Sequence, residues 1–278
     1  MKDLIEPPFR TAILNDLSWT EYLATNGLNP SRIIPGLKSM KHLKSAADPR
    51  DEKPQRNMLV GSMTHALVLE SEQFDERFAL YDRGGNRGSR KYGEFCAEHP
   101  GKEVAKPDEF DQASATARAV KADPIARELI DSTQHEVTVL CEQLSIQCKG
   151  RVDALGNGLI VDLKTTTNVE SAAFGRVAAS LNYAGKMACY QRFVAGVTGE
   201  MCAVKVIAVE TKPPYDVVTF SIPQGVLDSA WEEIEEKVIS KLRGAIERDE
   251  WPGVANGEEQ ELYVPNWAMP EELIEWAE

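Results

Sequence analysis

Two aspartates and one lysine in the segment GRVDALGNGLIVDLKTT (150–166) have the types and the spacing of a hydrolytic site. Asp153 ends one β-rich run, and Asp162 and Lys164 lie on the next, beyond a glycine-containing turn. Because side chains alternate along a strand, Asp162 and Lys164 point to the same face while Leu163 points to the other. The spacing therefore predicts two carboxylates and one ammonium around one point.

Paired carboxylates of this kind suit Mg²⁺, a hard cation that prefers oxygen ligands, and the carbonyl of Leu163 would add another oxygen. Such an ion lowers the pKa of a bound water and neutralises charge that builds on a phosphoryl group. Lys164 would orient that water or help to deprotonate it. The predicted chemistry is phosphodiester hydrolysis without a covalent nucleophile. The alternative is a surface ion pair between Asp153 and Lys164 on neighbouring strands.

The acid-x-Lys spacing alone is not specific, because the chain contains it in three further places: Asp51-Glu52-Lys53, Glu210-Thr211-Lys212 and Glu235-Glu236-Lys237. The copy that ends at Lys164 differs from these in its context. It lies in a strand-like apolar run, and an aspartate precedes the turn before it. This context favours a site over a chance repeat.

The elements that would position these residues follow from the surrounding patterns. The first 130 residues are mostly helical, with predicted helices over 30–47, after a Ser62 cap, after Asp108, and from Asp123-Pro124 to about Ile130. β-rich runs over 134–142, 144–155 and 158–166, with turn signals at Gly150 and at 156–158, predict an antiparallel meander. A helix is predicted over 182–197, strands over 201–210 and 216–223, and a long helix over 224–247. Together they predict one α/β domain with a helical N-terminal elaboration.

Composition narrows the class of protein. The chain has 278 residues and a net charge of −13, with 42% apolar residues, which describes an ordinary globular protein. Its five cysteines form an odd set without a CxxC pair, which argues against a disulfide framework and a structural zinc site. No apolar run reaches the ~20 residues of a membrane span, and the start MKDLIEPPFR lacks the apolar core of a signal peptide.

The negative net charge by itself argues against a nucleic-acid partner, but basic residues are clustered in parts of the chain. The glycine-rich stretch YDRGGNRGSRKYGEF predicts a loop that closes over a phosphate backbone, although a solvated polar loop is the alternative. It lacks the GxxxxGK[ST] order of a nucleotide-binding loop, so ATP binding is rejected. Its basic residues, the predicted DNA contacts, are Arg83, Arg87, Arg90 and Lys91.

The order of these motifs resembles the PD-(D/E)XK nucleases and, more narrowly, the RecE-type (exodeoxyribonuclease VIII) nucleases of phages and prophages. The resemblance covers nearly the whole chain, to the ending WPG…LYVPNW. It implies a restriction-endonuclease-like α/β fold with a mixed central sheet, in one domain over 1–278. Residues 1–130 would be a mostly helical N-terminal part, and 131–278 would hold the catalytic core with the C-terminal helix and tail. The residues that carry it are His65 in GSMTHALVLE, Glu136 in HEVTVL, Asp153 in KGRVDAL, Asp162 and Lys164 in IVDLKTT, and Tyr183 and Tyr190 in YAGKMACYQ.

The resemblance implies roles for these residues. Asp153 and Asp162 would bind the metal, and Lys164 would be the catalytic lysine. His65 would be a further metal ligand, whereas its sequence context alone favours a core histidine. Glu136 matches an accessory acid of related nucleases, and a solvent-facing glutamate on an edge strand is the alternative.

The helix after the Asp-x-Lys strand departs from the family pattern. Related nucleases carry Gln-x-x-x-Tyr there, and this chain has Lys186 and Tyr190, which still share a helical face. Lys186 would contact the scissile or an adjacent phosphate as a point charge. Tyr183 either stacks on a base or packs in the protein.

The resemblance also implies an activity. Members hydrolyse duplex DNA processively from an end, 5′→3′, with Mg²⁺, for which Mn²⁺ would substitute. They form ring-shaped homo-oligomers and leave single-stranded DNA for a RecT-type annealing protein, here in the cytoplasm of a bacterium or a phage-infected host. The alternatives are a structure-specific or single-strand endonuclease and a catalytically silent DNA-binding adaptor. The cysteines do not cluster as in relatives with an iron–sulfur site.

Overall fold

The fold is built on a mixed six-stranded sheet with the spatial order β1-β4-β5-β6-β7-β8, and a separate parallel pair joins β2 to β3. The computed structural model describes residues 1–47, 56–156 and 158–269. The predicted α/β class with a mixed sheet is confirmed. The strands are β1 (Ala12–Leu14), β2 (Phe78–Leu80), β3 (Glu103–Ala105), β4 (Gln134–Gln143), β5 (Ile146–Gly156), β6 (Leu159–Thr166), β7 (Ala203–Glu210) and β8 (Val217–Ser221).

Helices cover both faces of the sheet. A five-residue π-helical segment, Glu235–Ile239, joins the last two of them into the long helix predicted from the sequence. None of the described helices has the length and apolar character needed to cross a bilayer. The helices are α1 (Trp19–Ala24), α2 (Pro30–Ile33), α3 (Met40–Ala47), α4 (Arg56–Leu69), α5 (Phe74–Arg77), α6 (Arg90–Glu98), α7 (Pro107–Ala122), α8 (Pro124–Asp131), α9 (Ser171–Ser180), α10 (Tyr183–Thr198), α11 (Gln224–Ile234) and α12 (Ser240–Arg248).

Strands β4, β5 and β6 form the predicted antiparallel meander. A two-residue turn joins β4 to β5, and both of its residues, Leu144 and Ser145, have positive φ. Such turns match the twist of an antiparallel pair. The turn predicted between β5 and β6 includes Asn157, which lies outside the described residues. Strand β7 then pairs with β6 in the parallel direction, after a crossover through α9 and α10.

Neighbouring residues of β6 belong to different cores, which places a core on each face of the sheet. Ile160 packs with residues of α10 and α11, including Phe193 and Trp231. Val161 packs with residues of α4, α7 and α8, including Val120. The first core also contains the buried free thiols of Cys141, Cys148 and Cys189, which the sequence predicts to be small buried hydrophobes.

Two helix predictions differ from the structure. The 30–47 pattern is split into α2, a 3-10 turn (Ile34–Leu37) and α3. Pro35 lies at the start of that turn, where its missing N–H prevents continuation of the α-helical bonds. Ser62 does not cap a helix, because α4 begins at Arg56 and carries Leu59, Val60 and Met63 into the core.

Gly150 lies inside β5. The turn predicted at this glycine is therefore wrong. A Cβ added there would lie 3.0 Å from Cδ1 and 3.1 Å from Cε1 of Tyr190. The glycine therefore allows the α10 ring to pack directly on the strand backbone.

Gly150→Ala is expected to lower the free energy of unfolding by about 1–3 kcal/mol, because the tyrosine ring must shift in a close-packed core. Urea unfolding followed by far-UV circular dichroism measures the change. Gly175→Ala is the matched control, since its Cβ would meet nothing within 4 Å inside α9. Helix propensity predicts that this control stabilises the protein by about 0.5–1 kcal/mol. Equal effects of the two variants would contradict the packing argument.

Candidate active site

Three carboxylates lie at one level of three adjacent strands, β4, β5 and β6. Glu136 is opposite Asp153, and Asp162 is opposite Asp153 on the other side, one residue beyond the last β5–β6 pair. This register follows from the pairs His135↔Ala154, Val137↔Val152 and Ala154↔Val161. The meander therefore collects acids that are far apart in sequence.

Helix α4 adds a histidine to this row. The Nδ1 atom of His65 is 3.4 Å from Oδ2 of Asp153. Ligand atoms of His65, Glu136 and Asp153 all lie within 4.8 Å of one another, a spacing that one metal ion can bridge. The side chains of His65 and Asp153 are only 23% and 16% exposed, so the group is accessible from one side.

The side chain of Asp153 bonds to β6 just beyond the last backbone pair of β5 and β6. Its Oδ2 accepts a 2.8 Å hydrogen bond from the backbone N–H of Leu163. The carbonyl of Leu163 accepts a 3.3 Å bond from Nζ of Lys164. Leu163 therefore fixes the first carboxylate through its N–H, and its carbonyl, the predicted metal ligand, lies against the lysine.

Lys164 pairs with Asp162, with 2.5 Å between Nζ and Oδ2. Burial lowers the pKa of the Lys164 ammonium, but the carboxylates of Asp162 and Asp153 raise it, and the net pKa is raised. The lysine is therefore an ammonium that faces both predicted metal-binding acids. Its Nζ also lies 5.5 Å from the centre of the Tyr183 ring.

Burial disfavours charge throughout this cluster. It raises the pKa of Asp153 and of Asp162, and it raises the pKa of Glu136 to about 7 with the help of the charges on Asp153 and Glu70. Burial and the Lys164 charge lower the pKa of His65 to about 4, so its imidazole is neutral and one ring nitrogen carries a lone pair. Crowded acids beside a neutral imidazole are a donor set that a divalent cation would stabilise. The residues therefore fit a bound metal ion.

Glu136 is held inward rather than exposed at an edge. Strand β1 pairs with residues 138–140 of β4, just beyond Glu136. The Glu136 side chain is only 12% exposed. Its backbone has φ 51°, a left-handed conformation that costs about 1–3 kcal/mol for a non-glycine residue and is concentrated at functional sites. The solvent-facing alternative for Glu136 is therefore wrong.

Arg151, which the sequence did not single out, supports Glu136. Its Nε donates a 2.6 Å bond to Oε2 of Glu136, and its Nη2 donates a 3.0 Å bond to Oε1 of Glu70. A third bond, 2.8 Å from Nη1, reaches the carbonyl of Leu17. A sequence signal for it exists, because Gln147, Lys149, Arg151 and Asp153 occupy alternate positions of this strand.

Arg151→Met is expected to destabilise the protein by about 3–5 kcal/mol, because it leaves the buried Glu136 carboxylate without its cation and leaves Glu70 with Arg77 alone. Thermal or urea unfolding in EDTA measures this effect. Arg243→Met is the matched control: its ion pair with Glu247 lies on an exposed helix surface and is worth about 0–1 kcal/mol. If Arg151→Met lowered the free energy of unfolding no more than the control does, Arg151 would not stabilise the buried carboxylates.

The side chains of α10 lie beside the cluster. Tyr183 is only 8% exposed, packs near Phe174 and lies between the ammonium groups of Lys164 and Lys186, so it packs in the protein. Nζ of Lys186 is 5.7 Å from the Tyr183 ring centre. Tyr190 lines the cavity that contains His65 and Asp153. The predicted phosphate contact of Lys186 stays a prediction.

The four basic residues predicted to contact DNA are all exposed, but Arg83 and Arg87 are held by acids of other segments. Arg87 donates two 2.7 Å bonds to the buried Glu109, which ties the loop to α7. Arg83 pairs with Glu98. Arg90 and Lys91 lie at the start of α6, and Arg90 pairs with Glu94 one turn away while its side chain stays 90% exposed. These two residues are the part of this stretch best placed to meet a phosphate backbone.

Comparison with known proteins supports the predicted resemblance. The family described as "PDDEXK-like domain of unknown function (DUF3799)" matches residues 37–261. The structure is similar to that of a protein from Eubacterium rectale named "Putative exonuclease", at 16% identity and a TM-score of 0.62, over 91% of this chain and 95% of the other. That likeness shows the fold. No curated protein matches the chain.

Two further solved structures are less similar. A phage-related exonuclease from Haemophilus somnus 129PT matches at 13% identity and a TM-score of 0.34, over 81% of this chain and 98% of the other. An alkaline exonuclease from Laribacter hongkongensis matches at 13% identity and a TM-score of 0.28, over 58% and 84%. At these TM-scores neither adds to the argument for the fold.

Proposed function

The chain belongs to the DUF3799 family of PDDEXK-like domains and is an enzyme of the nuclease type, and on that premise we propose that it is a divalent-metal-dependent exonuclease acting on double-stranded DNA ends. The observation that carries the proposal is the group formed by Glu136, Asp153 and His65, with Lys164 and Asp162 beside it. Bringing these buried acids together costs stability, because their burial opposes their charge, and a bound cation would offset that cost.

The metal would be held by Asp153 with His65 and Glu136, and Asp162 lies one strand away. When bound, the ion would activate water and neutralise charge on the phosphate. Asp153 and Glu136 offer the carboxylate oxygens that Mg²⁺ prefers, whereas an imidazole is an unusual ligand for this ion. We propose Mg²⁺ as the physiological ion and expect Mn²⁺, which takes the same oxygen ligands, to support the reaction.

The chain's own residues divide the remaining work. Asp162 holds the ammonium of Lys164 in place, and that ammonium would stabilise negative charge on the phosphate and orient the attacking water. The N–H of Leu163 keeps the Asp153 carboxylate turned toward His65. Arg151 keeps the Glu136 carboxylate at the cluster. No side chain needs to form a covalent intermediate.

The resemblance to RecE-type nucleases supports the finer proposal. It includes processive 5′→3′ digestion by a ring-shaped homo-oligomer in the cytoplasm of a bacterium or phage-infected host. The product would be single-stranded DNA, passed to a RecT-type annealing protein for recombination.

Digestion of matched linear and covalently closed circular duplexes tests the proposal. Purified protein should degrade the linear form with Mg²⁺ or Mn²⁺, stop in EDTA, and leave the closed circle intact. Labels at the 5′ and 3′ ends of the linear form report the polarity. Cutting of the circle would instead indicate an endonuclease, and DNA binding without hydrolysis under any divalent metal would indicate an adaptor.

A further inference from the structure

Trp19 lies in the same cavity as the candidate metal ligands. A cavity of about 340 Å³ is lined by Trp19 together with His65, Asp153 and Arg77. Trp19 is 41% exposed, so a substantial part of its indole is open to a ligand. Its ring centre is 5.7 Å from the guanidinium of Arg151, which in turn bonds Glu136 of the metal-binding group. An open aromatic ring therefore lies one side chain away from the site of hydrolysis.

The helix that carries Trp19 is fixed at both ends. At its start, Ser18 and Glu21 form a reciprocal capping box. At its end, Nζ of the buried Lys149 donates bonds of 2.8 and 2.6 Å to the carbonyls of Tyr22 and Thr25. Because α1 is tied to β5 in this way, the backbone of Trp19 is held in a fixed place relative to Asp153, which also lies on β5.

The surroundings of the indole suit a nucleotide. The Arg77 guanidinium lies 5.4 Å from its ring centre, and the Tyr22 ring is stacked at 5.6 Å. Nη1 of Arg77 is 3.2 Å from Oε2 of Glu70. The two guanidiniums packed against the ring are in ion pairs with Glu70 and Glu136, and the exposed part of the indole offers an apolar surface. Aromatic rings combined with basic groups bind single nucleotides by stacking, without sequence preference.

We propose that Trp19 is a stacking platform for a nucleobase next to the scissile phosphate, at a frayed DNA end. This inference rests on the proposed nuclease function and names a substrate subsite within it. The base at the end of a duplex is unpaired at least part of the time, and stacking on Trp19 would hold the strand so that its phosphate reaches Asp153 and Lys164. A sequence-tolerant platform suits an enzyme that must accept every base in turn.

The test measures DNA affinity for each combination of a protein variant and a DNA variant. Short duplexes carry one abasic analogue at the first, second or third nucleotide from the 5′ or the 3′ end. Binding is measured by fluorescence anisotropy in a Lys164→Ala background with Mg²⁺, so that the readout does not depend on turnover. Trp19→Ala and Trp19→Phe are compared with Trp267→Ala, a matched control because Trp267 is 88% exposed and does not line the cavity.

At one abasic position, the protein with Trp19 should lose about tenfold in affinity, since stacking of one base contributes about that much. Trp19→Ala should bind intact DNA about tenfold more weakly and show no further loss with that abasic duplex. Trp19→Phe should be intermediate, and Trp267→Ala should behave like its parent. An abasic penalty in Trp19→Ala as large as in the parent would overturn the subsite. Absence of hydrolysis by the wild-type protein would instead overturn the nuclease function.

Discussion

Lys164→Ala is expected to lower turnover of linear duplex DNA by about 10³-fold, with little change in the KM for DNA. A positioned proton donor or acceptor typically contributes about 10²–10⁴-fold, and a fixed charge in a partly buried site contributes further. Lys164 has this geometry, since its ammonium contacts Asp162 at 2.5 Å with only 22% of the side chain exposed. Steady-state digestion of end-labelled duplex measures both parameters.

Lys237→Ala is the matched control for this prediction. Lys237 follows the same acid-x-Lys spacing, but it is 52% exposed and pairs with Glu233 on a helix surface. Removal of the Lys237 side chain should leave turnover unchanged. This result would show that the acid-x-Lys spacing alone does not make a lysine catalytic. Circular dichroism establishes that both variants are folded. If Lys164→Ala retained turnover within threefold of the wild type, Lys164 would have no part in the chemistry.

Asp153→Asn is expected to abolish metal-dependent turnover, by about 10³-fold or more, and to weaken Mn²⁺ binding at least about 100-fold. Loss of a residue that only supports a ligand typically costs 10–100-fold in metal affinity, and loss of the ligand itself costs at least as much. Asparagine keeps an oxygen that accepts the N–H of Leu163, so the local structure is preserved. Isothermal titration with Mn²⁺ measures the binding.

The same variant should be no less stable than the wild type in EDTA. Burial raises the pKa of Asp153, so the folded protein holds that negative charge at a cost which the neutral amide removes. Asp228→Asn is the matched control, because Asp228 is 42% exposed and pairs with Arg192 away from the cluster. It should change neither turnover nor Mn²⁺ binding. A destabilised Asp153→Asn protein with normal Mn²⁺ affinity would show that Asp153 is structural.

Local periodicity was enough to predict the central meander and the Asp-x-Lys strand. Alternation along β6 places Leu163 in the core and turns Asp162 toward Lys164, and this needs no knowledge of distant parts of the chain. The cap of α8 was likewise local, since Asp123 accepts from the N–H of Ala126 at 2.8 Å. The three-residue strands β1, β2 and β3 are too short to produce a period, and they were missed.

The supporting residues of the site could not be predicted because their contacts join distant segments. Glu70 directly follows α4, Arg151 lies on β5 and Trp19 begins α1, and only the folded chain brings them together. Gly150 misled for a related reason, since its role is close approach by a ring on α10 rather than a turn. Glycine in a sequence does not distinguish these two uses.

The two-residue turn between β4 and β5 constrains how the chain can vary in length. Inserting or deleting one residue at Leu144–Ser145 would slip the β4–β5 register by one and turn Glu136 away from Asp153. The loop around Pro213 and Pro214, between β7 and β8, carries no such requirement, because the strands it joins bear none of the clustered acids. Grafted peptides or affinity tags inserted internally therefore belong in the second loop.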